Sequence, residues 1–319
     1  MFELYRKRQL GDNLGETFTF FKDCGKNFFK IFFIVNGAFL VLLGIIIYTL
    51  IKVNFEAIKN SRLENNQLKS DLISYFNNNE GLTFVLVMIC ALLLLLVFSL
   101  FNYAYPILYL KMIANGKKDF ELNDVWSSFL KVLFKLIKFS FGILLLFFPV
   151  LIIVLIVIFF LCFIIIGIPL LFIAIPACFT FFNLWFYSYL TEEKRFFESL
   201  KDTYYLVKED FWNTIGSTFI MMIILVFVQA AITLFLYFVG IFIAIAYFIG
   251  NADSNSAKSI EPSPLLMGFI TIIVLALIIL GNIFNNVTVI HQGMIYYSLK
   301  AGSQRESQSI DLIGDQSNE

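Results

Sequence analysis

Histidine occurs once in these 319 residues, at position 291, and charged residues make up only 14% of the chain. A soluble domain carries about 25% charge. A chain with this little charge, 60% hydrophobic residues and a mean hydropathy of +0.85 would precipitate as a soluble globule. Metal-dependent hydrolysis needs clustered carboxylate or imidazole ligands, and neither a second histidine nor an acid within the long apolar runs is there to supply them. Gly-x-Ser-x-Gly, P-loop and HExxH patterns are also missing. The expectation is a protein that is not an enzyme and uses no metal or cofactor. Cys24, Cys90, Cys162 and Cys178 stand alone, without CxxC or Cys/His spacing, and read as small apolar fillers. With 23 basic and 23 acidic residues, nothing points to nucleic acid. Membrane lipids are the expected partners, with a protein partner or a homo-oligomer left open.

Apolar sequence is what the chain has in abundance. Phenylalanine alone occurs 40 times, and the run 141–165 has no charge, which is long enough to cross roughly 30 Å of hydrocarbon. Six such stretches predict an all-α, polytopic transmembrane bundle. The spans are read at about 31–52, 83–110, 141–166, 168–190, 214–238 and 265–297, following the usual length requirement. They form a 31–298 membrane domain between a 1–30 segment and a polar 299–319 tail. The third and fourth are parted only by Gly167, Ile168 and Pro169, which predicts a tight hairpin reversal there. The fifth apolar stretch reaches 249, and both a long tilted helix and a span followed by a re-entrant piece fit it. The 52–82 segment reads as a polar helical excursion and 251–264 as a short flexible connector.

Lys and Arg divide 18 to 5 between alternate connecting segments, which predicts that both ends lie in the cytoplasm. The charged segment ahead of the first span is too long and too acidic for a signal-peptide n-region. No small-residue cleavage pattern follows, so this span is expected to remain as an anchor.

Each cytoplasmic segment reads as an amphipathic helix leading into an odd-numbered span, which predicts three interfacial helices. In the first, Phe18, Phe21, Phe28 and Phe29 oppose Lys22, Asp23, Lys26 and Lys30. In the second, Trp126, Phe129, Leu130, Leu133 and Ile137 face away from Lys131, Lys135 and Lys138, three candidate contacts for lipid headgroups. In the third, Phe197, Leu200, Tyr204, Val207 and Phe211 oppose Lys194, Glu198, Lys201, Asp202 and Lys208. Ordinary connecting helices over the end of the bundle fit the same pattern equally well. The first and third copies share an aromatic step, Asn27-Phe28-Phe29 and Asp210-Phe211-Trp212, as an internal repeat would.

The stretch 196–216 (FFESLKDTYYLVKEDFWNTIG), the closing 294–302 (MIYYSLKAG) and 105–132 together resemble a family of bacterial proteins similar to the membrane domain of glycerophosphoryl diester phosphodiesterase. The chain departs from that pattern at Asp210 and Lys300, which places it on a distant branch. The resemblance implies a six-span helical domain in a bacterial cytoplasmic membrane. It also implies that chemistry in the fused enzymes belongs to a separate soluble domain, so phosphodiesterase activity is not expected of these residues.

Intramembrane polar residues are the usual pointer to function, and the last span has most of them. At 100° per residue, Asn282, Asn285, Asn286, Thr288 and Gln292 share an arc of about 160°, with His291 just outside it. Interhelical hydrogen bonding or interfacial solvation fits this face, and so does a substrate or proton path. His291 itself reads foremost as a headgroup contact. Asn36, Asn183 and Gln229 read as single packing contacts, and Pro106, Pro149, Pro169 and Pro176 are expected to kink their helices.

Overall fold

The computed structural model describes residues 3–63, 79–117, 121–163, 165–192, 194–250 and 264–316. Residues 64–78 of the polar 52–82 excursion and nearly all of the 251–264 connector lie outside them. Among the described residues the protein is helical throughout, with no strand. In chain order the helices are α1 (Leu10–Leu63), α2 (Asn79–Ala114), α3 (Leu122–Gly142), a π-helical segment (Ile143–Phe147), α4 (Phe148–Cys162), α5 (Gly167–Thr191), α6 (Phe196–Glu209), α7 (Phe211–Gly250) and α8 (Pro264–Gln316).

Six stretches among the described residues are long and apolar enough to cross a membrane: Leu10–Lys52, Leu92–Ala114, Leu122–Cys162, Gly167–Thr191, Phe211–Tyr247 and Pro264–Ser303. Among the described residues these helices carry large apolar side chains outward, as at Phe242 and Leu145, which are 76% and 70% exposed, a surface that suits lipid.

Several boundaries differ from the sequence expectation. The 1–30 segment is not a separate amphipathic helix, because α1 continues through residue 30 without a break. No proline interrupts that stretch, so its hydrogen-bond ladder simply propagates. The second copy likewise runs on from α3 into the π-helical segment. There the Phe148 N–H bonds to the Ile143 carbonyl, and Pro149 takes a place in the first turn of α4 where no N–H is needed. Only the third copy, α6, stands apart. It starts where the Glu198 carboxylate accepts the Arg195 N–H at 3.3 Å, and it ends at Asp210, whose φ of −136° is not helical. The fifth apolar stretch is one 40-residue helix, which excludes a re-entrant piece, and the helix of the last span continues to Gln316, so most of the 299–319 tail is helical.

The hairpin reversal also falls earlier than predicted. Residues 163, 165 and 166 lie in the turn, with the Ile165 N–H donating to the Cys162 carbonyl at 3.0 Å and Ile165 itself at φ +66°. Gly167 is already helical and serves packing: a Cβ there would lie 2.7 Å from both the Cys162 sulfur and the Ile158 carbonyl. Pro169 sits in the first turn of α5. Of the four prolines, Pro106 and Pro176 are the ones inside helices.

The chain divides into two compact units. One comprises Phe33–Leu100 and Phe227–Ile283. Within it Phe39 and Phe98 meet at 5.4 Å, and two glycines bring helices close: a Cβ on Gly44 would lie 3.0 Å from Leu275 and one on Gly240 3.4 Å from Ile273. The other comprises Met1–Phe32, Phe101–Val226 and Phe284–Glu319 and has an aromatic core. Phe28 packs on Tyr105 at 4.7 Å and on Tyr109 at 4.9 Å, and the Tyr105 hydroxyl donates to the Phe28 carbonyl at 2.6 Å. Phe139 packs on Trp185 and Phe186 in the same unit.

Candidate functional site

Within the second unit, α8 is enclosed on every side from Val289 to Leu299. Enclosure of this kind requires close neighbours, and Gly293 permits them, since a Cβ there would fall 2.5 Å from the Tyr187 hydroxyl. The Tyr187 hydroxyl donates to the Val289 carbonyl at 2.8 Å, one helical turn away.

His291 is fully buried here, and so it is not the headgroup contact that its position in the sequence suggested. Its Nδ1 lies 3.0 Å from the Thr17 hydroxyl of α1, and its Nε2 lies 3.2 Å from the Ser217 hydroxyl of α7. The Thr17 hydroxyl proton is already donated to the Asn13 carbonyl at 2.6 Å, so the Thr17 oxygen accepts from Nδ1–H. That assigns the ring proton to Nδ1 and leaves Nε2 to accept from Ser217.

Gln292, also fully buried, extends this layer. Its Nε2 donates to the Thr218 hydroxyl of α7 at 3.0 Å, which also receives the Thr180 hydroxyl of α5 at 2.7 Å. Thr218 passes its own proton to the Thr214 carbonyl at 3.0 Å. Four helices, α1, α5, α7 and α8, are thereby tied at one level by neutral groups. Such bonds are worth roughly 0.6–2 kcal/mol each in a membrane protein. Their chemistry is that of a register lock, because each hydroxyl proton just traced goes to a backbone carbonyl or a neighbouring side chain. The Asn13 Oδ1, Thr214 Oγ1 and Gln292 Oε1 atoms are buried in the same unit without a hydrogen-bond partner among the described residues.

A charged cluster lies between the end of α5, the start of α6 and α8. Lys300 bridges Glu192 at 2.7 Å and Asp202 at 3.1 Å, and Lys194 bridges Asp202 at 3.0 Å and Glu192 at 2.6 Å. The Tyr296 hydroxyl donates to Glu192 at 2.7 Å and the Ser188 hydroxyl to Asp202 at 3.0 Å. Burial works against the charged form of both carboxyls, yet hydrogen bonds from the two lysines outweigh it and hold both below their ordinary values. The Lys194 ammonium loses to burial and gains more from hydrogen bonds to Glu192 and Asp202, which hold its pKa above the usual lysine value.

A third anchor is Arg8, whose side chain is fully buried. It donates to the Leu4 carbonyl at 2.7 Å and the Glu3 carbonyl at 2.6 Å, and it pairs with Glu16. Its backbone N–H donates to the Ser298 hydroxyl at 2.7 Å, while Asn213 donates to its carbonyl at 3.1 Å.

The predicted polar arc of the last span is not one shared surface. Asn282 turns back to the Ile278 carbonyl at 2.9 Å and Thr288 to the Phe284 carbonyl at 2.8 Å. Asn285 is half-buried, Asn286 is buried, and only His291 and Gln292 join the interhelical layer just described. Their partners Thr17, Thr180, Ser217 and Thr218 were not singled out from the sequence. The one local signal for them is the run Thr214, Ser217, Thr218 at helical spacing in an otherwise apolar stretch.

Burial within the structure divides the apolar sides of α3 and α6. On α3 the buried stripe is Val125, Phe129, Leu136 and Phe139, so of the apolar side read from the sequence Phe129 is buried while Trp126 and Leu130 are exposed. Lys131 and Lys138 are exposed and Lys135 lies 5.8 Å over the Tyr189 ring. On α6 the inward face is small and polar, through Ser199 and Thr203, with Leu206 and Val207. The Trp185 indole N–H donates to Ser199 at 3.1 Å, and Phe197 and Tyr204 point outward.

No group of three His, Cys, Asp or Glu side chains among the described residues could hold a metal ion. No family model, no curated protein and no solved structure matches this chain.

Proposed function

We propose that this chain is a non-enzymatic, multi-pass protein of a bacterial cytoplasmic membrane, with both ends in the cytoplasm, acting as a lipid-interacting scaffold or accessory factor. The observation that carries this reading is the outward surface of α3 and α6. On α3, Trp126, Leu130 and Phe134 are exposed beside Lys131 and Lys138. On α6, Phe197, Tyr204 and Tyr205 are exposed beside Lys201 and Lys208. Rings and lysines displayed together suit the boundary between acyl chains and anionic headgroups, where each lysine contributes about 1 kcal/mol.

The buried polar layer favours a structural part over a path for solute. His291 and Gln292 have no exposed surface, and both ring nitrogens of His291 are engaged by hydroxyls. The likeness of 196–216 and 294–302 to the phosphodiesterase membrane domain fits a membrane part that works beside a separately encoded enzyme. That partner is included in the proposal as one form of the accessory role.

Purification of the full chain in mild detergent tests it, with the native protein and a Lys131→Gln/Lys135→Gln/Lys138→Gln variant compared for lipids and proteins that copurify. Anionic phospholipid should be enriched over its membrane abundance in the native sample and return toward that abundance in the variant. Identical lipid profiles sink the reading. Solute flux in liposomes above the empty-vesicle rate, lost in Asn285→Leu/Asn286→Leu, would replace it with transport.

A further inference from the structure

We infer that a groove across α4, α5 and α6 holds one anionic phospholipid, with an acyl chain among its apolar side chains and the phosphate at Lys208. The inference rests on the reading that the chain lies in a bilayer and adds a discrete site to it.

Two cavities form the groove. One of about 330 Å³ lies between α4 and α5, lined by Leu151, Ile158, Ala174 and Phe182 among others. The second, of about 460 Å³, lies between α5, α6 and the start of α7, with Ala177, Tyr204 and Lys208 in its wall. Phe147 and Cys178 line both cavities, so the two adjoin. Phe147 is the last residue of the π-helical segment, the kind of local widening that often marks a functional position in a helix.

The polarity of the groove is graded. Among the described residues the first cavity has no charged side chain in its wall, and the second has one, Lys208. Lys208 is exposed and forms no ion pair among the described residues. Tyr204 shares the wall with Lys208 and is exposed, a residue type that settles at the headgroup level of a membrane. An apolar groove with one ammonium and the Tyr204 ring in its wall matches a molecule with a hydrocarbon tail and an anionic head.

Size argues against a partner helix. One helical turn, about 10 Å across and 5.4 Å in pitch, displaces roughly 400 Å³, so each cavity holds about a single turn. A helix occupying both cavities would have to bend at Phe147 and Cys178, whereas a chain of methylenes is flexible enough to lie along the two. A free inorganic anion would meet one exposed lysine and leave the apolar length of the groove unused.

Native mass spectrometry of the full chain in detergent, titrated with phosphatidylglycerol, phosphatidylcholine or glycerol phosphate, tests the site. The native protein should retain one phosphatidylglycerol about fivefold better than phosphatidylcholine, the factor one lysine near an anionic headgroup supplies, and should not retain glycerol phosphate. Lys208→Gln should bring the two lipids level, and Ala177→Phe, which fills the second cavity, should lose both. Should Ala177→Phe fail to fold, the exposed Lys208→Gln still decides. Phosphatidylglycerol with a photoreactive acyl terminus should label 147–158 and 171–182. Equal retention of both lipids by the native chain, an unchanged preference in Lys208→Gln, or labelling spread evenly over the helices would overturn the inference. Lys131→Gln/Lys135→Gln/Lys138→Gln should leave the single adduct intact. Loss of that adduct would overturn the discrete groove while leaving the broader lipid-contact reading in place.

Discussion

The Tyr187 hydroxyl stands 2.5 Å from where a side chain on Gly293 would begin, although 106 positions of sequence separate the two. The glycine lets α5 press against α8, and the same phenol ties the two helices through the Val289 carbonyl. Everything buried around His291 and Gln292 depends on that approach.

Gly293→Ala therefore forces the ring or the helix to move. Overpacking of this kind costs about 1–3 kcal/mol, and the expected outcome is a clear fall in the thermal midpoint of the purified protein in detergent. The same Cβ would lie 2.3 Å from Leu110 Cδ1 and 2.8 Å from the Tyr187 ring carbon that bears the hydroxyl, so adding Tyr187→Phe, which also gives up the bond to Val289, should not restore the midpoint. A midpoint unaffected by Gly293→Ala would show that this packing is not as tight as the geometry states.

Ile165 provides a prediction of opposite sign. Its φ of +66° puts a β-branched side chain in the left-handed region, and 75% of the residue is exposed, so packing gives little in return. For an L-residue that conformation costs roughly 1–2 kcal/mol, while glycine adopts it freely. Ile165→Gly should raise the thermal midpoint, by an amount equivalent to about 1 kcal/mol once the greater freedom of unfolded glycine is subtracted. A lowered midpoint would mean that the exposed isoleucine contributes more than its strain costs.

The charged cluster predicts an acid-side loss of stability. Glu192 and Asp202 are held below their ordinary values of 4.5 and 3.8. Groups lowered by folding stabilise fully above those values and lose the contribution as pH falls through the depressed ones. Lys194 is raised above 10.5, so its contribution is full below that value and is lost only as pH rises past the raised one. Thermal midpoints should thus be flat between about pH 6 and pH 9 and fall on acidification below about pH 4. Glu192→Gln/Asp202→Asn should show a shallower acid fall than the native chain. Parallel acid curves for the two proteins would remove the cluster from the account.

The sequence by itself determined that the chain is helical and how many helices can cross a membrane, because an uninterrupted apolar run of that length leaves its backbone one way to satisfy its hydrogen bonds in hydrocarbon. All six stretches were legible this way, since the signal is composition within each run and needs no partner. Which side of a helix faces inward was not legible. In water an apolar side chain turned outward is costly. Trp126, Leu130, Phe197 and Tyr204 are exposed, and beside a bilayer an apolar side chain turned outward costs little, so hydrophobic periodicity does not distinguish the two sides. The inward faces were decided by what brings helices close, namely Ser199 and Thr203 on α6, Gly293 on α8 and the hydroxyls of Thr17, Ser217 and Thr218. Only the tertiary structure could gather those last three around His291 and Gln292, because a single hydroxyl in an apolar run carries no mark of its partner until another helix is packed against it.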